Sequence, residues 1–338
     1  MGAASSSAVE DRRRRATHDG TQNFVTGDGR RVSKPEQQRQ GATLHPLDIQ
    51  GRDCNSFQGD KFSFAICSGI QYADKDCCSG WSDKHRVGLD RLMHACRHWV
   101  MPEESLSFVL SLGDMTVPNA SSEATESDIQ RALKLFDRLG RAFPVYHSLG
   151  TECEALSKKD LLCRLGLEGT FYARKLPCKW RLIVLDTNQT CKQDRPREQG
   201  KDAKPAGIGE LQLLWLKAEL RRAESFGERV IVAANAPIVP GCSSTPEECI
   251  ANSEEVQKIL VESKATNVVL CGGNHRSAYF TANGVHFLNV PPMSNSPTMI
   301  HAPYHIIEVE GDGIVVQGFG GLPNRLWNTR RTRTMSTT

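Results

Sequence analysis

The chain has 338 residues, of which 39% are hydrophobic and 24% charged, and its net charge at pH 7 is +3. This length can bury a substantial core and favours one large domain with tails. The small net charge argues against a nucleic-acid-binding surface. The 12 cysteines contain no C-x-x-C pair of the kind found in zinc sites, and no apolar segment follows the first methionine. We therefore expect reduced thiols in an intracellular compartment.

The first 57 residues are polar and predict a flexible tail. They begin MGAASS, which fits the N-myristoylation pattern with Gly2 as the acceptor. One acyl chain binds membranes only marginally, so the run Arg12-Arg13-Arg14-Arg15 would supply the second signal, attraction to anionic lipid. An ordinary tail that starts with Met-Gly is an equal alternative. A mitochondrial presequence is a third, against which the acidic residues of this segment argue.

The rest of the chain alternates between apolar runs and amphipathic segments. Strands of the buried type are predicted at residues 62–67, 106–112, 144–149, 181–186, 229–235 and 267–272. Helices are predicted at about 83–99, from Ser127 or Asp128 to Leu139, at about 209–223 and at 254–263. Three later segments, 284–290, 304–309 and 313–318, alternate like antiparallel strands. The pattern predicts an α/β domain over residues 58–322 and a basic tail over 323–338.

Polar and glycine-rich segments follow the predicted strands. In chain order they read SGIQYAD from residue 68, GD from 113, GTE from 150, ANAP from 234 and GGNH from 272. In α/β folds, active sites gather at the carboxyl ends of the strands. Any chemistry is therefore expected in these loops.

The order and spacing of these segments resemble the calcineurin-like metallophosphoesterases. The segment IQYAD resembles in particular the manganese-dependent ADP-ribose/CDP-alcohol diphosphatases, in which the series reads D-x-Q, G-D, G-N-H-E, S-H-x-P and G-H-x-H. The resemblance covers about residues 62–321, with Asp186 at a further landmark. It implies a metallophosphoesterase-type β-sandwich of mixed sheets flanked by helices, a four-layer αββα arrangement.

The resemblance also implies a centre of two divalent cations that activate water and neutralise the transferring phosphoryl group. Three of its ligand positions are retained here, as Gln71, Asp114 and His275. The four other ligand positions carry Gly69, Thr151, Asn235 and Gly273, and Glu152 stands where the family has a histidine that is expected to assist the leaving group. The resemblance implies that all three retained residues would serve the first cation, whereas the second cation would keep only the bridging Asp114. We therefore expect either no metal or one weakly bound Mn²⁺ or Mg²⁺.

Three functions remain open at this point. The favoured one is a catalytically degenerate metallophosphoesterase, a pseudoenzyme that acts as a binding or scaffold subunit of a larger assembly and is tethered to a membrane. The second is an active diphosphatase whose rearranged site uses Glu152 and Asn235 as oxygen donors. The third is a sensor that binds a nucleotide diphosphate without cleaving it. We expect the protein in the cytosol or on a cytosol-facing membrane or cytoskeletal structure, with mitochondria as the alternative.

The retained residues also have a purely structural interpretation. An acid after glycine, such as Asp114, can cap a strand-end loop through backbone N–H groups. Asp186 lies outside the expected metal ligands and is interpreted as structural. His275 is expected to survive as a loop residue more than as a ligand.

Overall fold

The computed structural model describes residues 60–75, 83–150, 157–190, 206–243, 248–296 and 301–329. All of them belong to one compact unit, His45–Thr338. Its helices are α1 Asp83–Arg86, α2 Gly88–Trp99, α3 Ser122–Leu139, α4 Lys158–Leu165, α5 Glu210–Ser225 and α6 Ser253–Glu262. None of the helices in the described ranges is long and apolar enough to cross a membrane.

The strands in chain order are β1 Lys61–Cys67, β2 Phe108–Ser111, β3 Val145–His147, β4 Tyr172–Leu176, β5 Trp180–Leu185, β6 Gln189–Thr190, β7 Ala206–Gly207, β8 Arg229–Ala234, β9 Thr266–Cys271, β10 Ala278–Ala282, β11 Val285–Asn289, β12 Tyr304–Glu310, β13 Gly313–Phe319 and β14 Arg325–Asn328. The first sheet has the order β14-β13-β12-β1-β2-β3, and the second has the order β10-β11-β9-β8-β5-β4. Both sheets are mixed. β1, β2 and β3 run parallel, as do β5, β8, β9 and β11, whereas β12 to β14, β4 and β10 are antiparallel to their neighbours.

Alternation along the strands divides the core into three apolar layers. Phe64 of β1 faces the second sheet and stacks on Phe108 at 4.6 Å between ring centroids. The neighbouring Ala65 faces α2 and α3, which cover the outside of the first sheet. Leu216 of α5 and residues of α6 cover the outside of the second sheet. The predicted α/β sandwich of two mixed sheets flanked by helices is therefore confirmed.

The predicted strands and the helices at 209–223 and 254–263 are present with small shifts at their ends. The helix predicted at 83–99 is divided at Val87. The predicted start of α3 at Ser127 or Asp128 is wrong, because Ser121 is the N-cap and its Oγ accepts a hydrogen bond from the backbone N–H of Ala124. Asp128 is instead buried inside the helix, where its carboxylate accepts hydrogen bonds from the Asn119 side chain and the Asp74 backbone.

The boundary predicted at residue 322 is also wrong, because β14 continues the first sheet beyond it. Trp327 of β14 is buried and stacks on His286 and on Tyr279, with ring centroids 5.1 Å and 5.5 Å apart. This aromatic packing makes residues 325–328 part of the domain. Residues 1–57 lie outside the described ranges, so the prediction of an N-terminal tail remains a prediction.

A buried histidine should make the fold sensitive to acid. His305 of β12 is fully buried, and neither of its ring nitrogens has a hydrogen-bond partner in the part of the chain that the structure describes. Burial lowers the pKa of His305 to about 4 from an ordinary value of 6.5, and the charge of Arg325 adds to this. Between these values the unfolded chain binds a proton that the folded chain excludes. The free energy of unfolding should therefore fall by about 3 kcal/mol as the pH drops through this window.

The substitution His305→Leu should remove this part of the acid destabilisation, measured by urea unfolding between about pH 7 and about pH 4.5. His147, whose pKa burial also lowers to about 4, leaves a residual effect of the same sign. His275→Leu, at an exposed position, is the matched control. A His305→Leu protein with the pH dependence of the unsubstituted chain would contradict the prediction.

Candidate functional site

The loops after four strands meet at one end of the sandwich. The backbone N–H of Gly69, after β1, donates to the carbonyl of Gly113, after β2, at 3.0 Å. Two residues further on, the N–H of Gln71 donates to the carbonyl of Asp114 at 2.9 Å. In the second sheet, the N–H of Gly272, after β9, donates to the carbonyl of Ala234 at the end of β8. The predicted clustering of strand-end residues is therefore present.

Asp114 and Asn235 connect the two sheets at this end. The side-chain nitrogen of Asn235, which is 3% exposed, donates to a carboxylate oxygen of Asp114 at 3.1 Å and to the carbonyl of Leu112 at 2.7 Å. Both partners are acceptors, so the network requires the NH₂ group of the amide, and not its oxygen, to face Asp114. Asn235 thus presents hydrogen-bond donors where the resemblance places a ligand.

Gln71 is held by a loop that the sequence analysis did not assign to the site. The Oγ of the buried Ser294 donates to Oε1 of Gln71 at 2.5 Å. The same loop also donates backbone hydrogen bonds, one of them from the Ser294 N–H to the carbonyl of Gly69. The sequence gives one indication that this loop belongs to the site, because residues 291–296 directly follow the predicted strand 284–290. Gln71 and Asp114 both have left-handed backbones, with φ of 51° and 54°. Such conformations cost non-glycine residues energy and are typical of functional loops.

Two of the substituted positions are glycines in close contact with other residues. A Cβ added to Gly69, whose φ is +52°, would lie 2.5 Å from the Cβ and 3.0 Å from the Cα of Pro292. A Cβ added to Gly273, whose φ is +71°, would lie 2.8 Å from the carbonyl oxygen of Asn235. The space for a side chain at either position is therefore taken by other protein atoms.

His275 lies at the edge of this region and is exposed. Its carbonyl accepts a hydrogen bond from the Asn295 side chain, which ties it to the loop that holds Gln71. The neighbouring Asn274 is buried, and its amide nitrogen donates to Glu248 at 2.7 Å. Across the described ranges, no group of three or more His, Cys, Asp or Glu side chains is placed to hold a metal ion.

The structure thus brings Gln71, Asp114 and Asn235 together, with Gly69 and Gly273 beside them. Thr151 and Glu152 lie outside the described residues, as do Gly2 and Arg12 to Arg15. Their roles remain predictions.

The tyrosine and aspartate of IQYAD anchor the loop after β1 to helix α3. The guanidinium of Arg131 donates to the hydroxyl of Tyr72 at 2.9 Å and to the carboxylate of Asp74 at 2.7 Å. Arg86 donates to the same carboxylate. Arg131, and after it Arg86, holds the pKa of Asp74 below its ordinary value. These residues position the loop that carries Gln71.

Asp186 is a second structural centre, outside the cluster. It is fully buried and pairs with Lys158 of α4 at 3.0 Å. Its carboxylate also accepts from the backbone N–H of Asn188, and the side-chain amide of Gln212 bonds to both its backbone N–H and its carbonyl. Asp186 therefore fastens α4 and α5 to the end of β5.

Comparison with known proteins gives consistent results, although no family model matches the chain. A manganese-dependent ADP-ribose/CDP-alcohol diphosphatase of Arabidopsis thaliana is 27% identical over 264 residues, covering 67% of this chain and 84% of the relative. An enzyme of the same name from Mus musculus is 23% identical over 324 residues, covering 80% and 94%.

Among solved structures, a dimetal phosphatase from Danio rerio superposes with a TM-score of 0.67 at 20% identity, covering 80% of this chain and 99% of that one. GAP50, described as the anchor in the inner membrane complex of Plasmodium, superposes with a TM-score of 0.57 at 13% identity, covering 81% and 90%. These two likenesses concern the fold. The sequence relatives, the two six-stranded mixed sheets and the strand-end loops agree, and in both sequence and fold the chain is similar to the calcineurin-like metallophosphoesterases.

Proposed function

We propose that the protein is a catalytically degenerate metallophosphoesterase that acts as a binding or scaffold subunit of a larger assembly. The observation that carries this proposal is the contact between Asn235 and Asp114. A carboxylate that bridges two cations needs further ligand atoms beside it to complete the coordination of each cation. Here one oxygen of Asp114 accepts a hydrogen bond from the Asn235 amide nitrogen, which has no lone pair for a metal. The described residues therefore do not fit a two-cation centre.

The first-cation side of the site supports the same proposal. Gly69 offers no carboxylate, and Pro292 lies where its side chain would begin. The Oε1 of Gln71, the atom that would coordinate a cation, accepts a short hydrogen bond from Ser294. A hydrogen bond within the protein thus uses one of the two lone pairs of the oxygen that a metal would need.

A scaffold role has a precedent within this fold, since GAP50 is described as an anchor in a membrane complex. For this chain, a myristoyl group on Gly2 and the basic run Arg12 to Arg15 would supply membrane attachment. The site of action would then be a cytosol-facing membrane or a cytoskeletal structure beneath it, with mitochondria as the alternative.

An active diphosphatase is the second candidate. It is favoured by the activity for which the Arabidopsis relative is named, since the chain matches 84% of that relative's length, and by the left-handed backbones at Gln71 and Asp114. In this alternative, a single Mn²⁺ or Mg²⁺ would be held by a rearranged set of ligands. A nucleotide-diphosphate sensor without turnover is the third candidate.

Metal analysis separates these candidates. We expect the purified full chain to retain less than about one equivalent of Mn²⁺ after dialysis, because four expected ligand positions are substituted. Elemental analysis and calorimetry measure the bound Mn²⁺, with Asp114→Ala as the control.

We also expect no hydrolysis of ADP-ribose or CDP-choline above the level of Asp114→Ala. Two tightly bound equivalents, or turnover lost in Asp114→Ala, would overturn the pseudoenzyme proposal. Saturable nucleotide binding without turnover would favour the sensor.

A pair of glycine substitutions tests whether the first-cation position is closed. Gly69→Ala should lower the free energy of unfolding by about 2 to 4 kcal/mol, because the left-handed backbone and the contact with Pro292 both oppose a Cβ. Gly227→Ala is the matched control, since Gly227 has a φ of +62° and nothing within 4 Å of its added Cβ. It should cost only about 1 kcal/mol. Equal losses in urea unfolding would show that Pro292 moves aside and that an aspartate could enter.

A further inference from the structure

The guanidinium of Arg325, on the edge strand β14, lies against the core without a counter-ion among the described residues. Its Cζ is 4.7 Å from the centroid of the Tyr279 ring, so the cation is attracted to the face of the ring. Arg325 is partly exposed, and its buried Nε has no hydrogen-bond partner in the described ranges. Arginine keeps its charge at every pH at which proteins are folded. The positive charge at this edge is therefore permanent.

The ring beneath the guanidinium is itself fixed. The hydroxyl of Tyr279 lies 2.8 Å from Nδ1 of His286, and Nε2 of His286 lies 3.1 Å from the carbonyl oxygen of Asn328. Burial lowers the pKa of His286, which favours the neutral ring. Because a carbonyl can only accept, Nε2 carries the proton and Nδ1 accepts from the tyrosine. The contact with this ring positions the guanidinium and uses none of its N–H donors.

His305 of β12 lies on the same face of the first sheet. It pairs with Gly318 of β13, whereas Arg325 pairs with Val316, two residues before Gly318. Paired residues, and residues two apart on one strand, face the same side of a sheet. Val316 belongs to the core between the sheets, so His305 and Arg325 both point inward, with only a glycine between them. The charge of Arg325 accordingly adds to burial in lowering the pKa of His305.

The imidazole of His305 is a polar group set deep in the sandwich. The residue is 0% exposed, and neither of its ring nitrogens has a hydrogen-bond partner in the part of the chain that the structure describes. Buried polar groups are nearly always hydrogen-bonded to protein, water or a ligand. A neutral imidazole offers one donor and one acceptor, and the guanidinium beside it offers donors and a positive charge. The two side chains together are suited to an anion that can both accept and donate.

We propose that Arg325 and His305 form a binding site for a small oxyanion of the phosphate class. The planar guanidinium matches two oxygens of a phosphate group. The hydrogenphosphate ion also carries a hydroxyl, so it can accept from one ring nitrogen of the imidazole or donate to the other. An ordered water could pair with the imidazole but could not neutralise the arginine. Neither residue is an expected metal ligand, so the proposal is independent of the metal chemistry of the strand-end loops.

Titration calorimetry of the full chain with inorganic phosphate, in the presence of EDTA, tests the proposal. We expect binding with a Kd of about 1 mM. Arg325→Gln should weaken it at least about tenfold, and Arg325→Lys, which keeps the charge but loses the two-pronged geometry, should weaken it less. Arg174→Gln is the matched control, because Arg174 lies 4.9 Å from the centroid of the Tyr172 ring on the edge strand β4. It should leave the Kd unchanged.

Because EDTA removes divalent cations, phosphate held by a metal in the strand-end loops would be released, whereas phosphate at Arg325 would stay. Binding that disappears with EDTA, the absence of binding, or equal effects of the Arg325→Gln and Arg174→Gln substitutions would each overturn the proposal.

NMR of the histidine ring nitrogens locates the anion without a substitution at Arg325. Saturating phosphate should shift the resonances of His305, which are identified by their absence in His305→Leu. Those of His286, whose two nitrogens have protein partners, should shift less. Equal affinity for glycerol phosphate would assign the site to the phosphate group of a larger molecule, and binding of inorganic phosphate alone would assign it to the free ion. Unchanged His305 resonances at saturating phosphate would place the anion elsewhere and overturn the proposal.

Discussion

The hydrogen bond between Asn235 and Asp114 is the contact on which the strand-end loops depend. Asp114 follows β2 in the first sheet, and Asn235 follows β8 in the second, so this bond crosses the sandwich. The backbones of Gly113 and Gly273 lie close to Asn235. A Cβ on Gly113 would lie 2.9 Å from the Asn235 side-chain nitrogen, and one on Gly273 would lie 2.8 Å from its carbonyl oxygen. A larger side chain at either glycine would push the sheets' loops apart.

Hydrogen bonds of this kind can replace a cation in holding loops together. Each hydrogen bond to a charged group contributes about 1.5 to 3 kcal/mol, against a similar cost of about 1 to 3 kcal/mol for each left-handed residue. Asp114 receives such a bond from Asn235, and Gln71 receives a neutral hydrogen bond from Ser294, which contributes about 0.5 to 1.5 kcal/mol. The strained loop conformations of Gln71 and Asp114 can therefore persist through protein contacts alone.

The sequence predicted the central strands well because long buried runs such as 181–186 and 267–272 carry their own apolar signal. It missed helix α4 and the short edge strands β4, β10 and β14, which are stabilised by packing on other elements. Arg174 interrupts the apolar pattern of β4, and Arg325 begins β14. The sequence analysis also missed Ser294 and Pro292. Their contacts with Gln71 and Gly69 join residues more than 200 positions apart, and no local pattern encodes such a contact. The positions at which the resemblance implies ligands could be located from the motifs, whereas the neighbouring atoms that contact these positions could not.

The close packing of the strand-end loops limits where this domain can bind or catalyse. At Gly69 and Gly273, protein atoms lie within 3 Å of an added Cβ, so a side chain introduced at either position would also require its neighbour to move. A tightly packed loop cluster offers little freedom for new chemistry, because packed interiors resist added volume. The edge of the first sheet at β14 is free of this constraint, since the imidazole of His305 and the Nε of Arg325 are buried there without partners among the described residues. If the domain acts by binding, this edge is therefore a better place for that function than the closely packed strand-end loops.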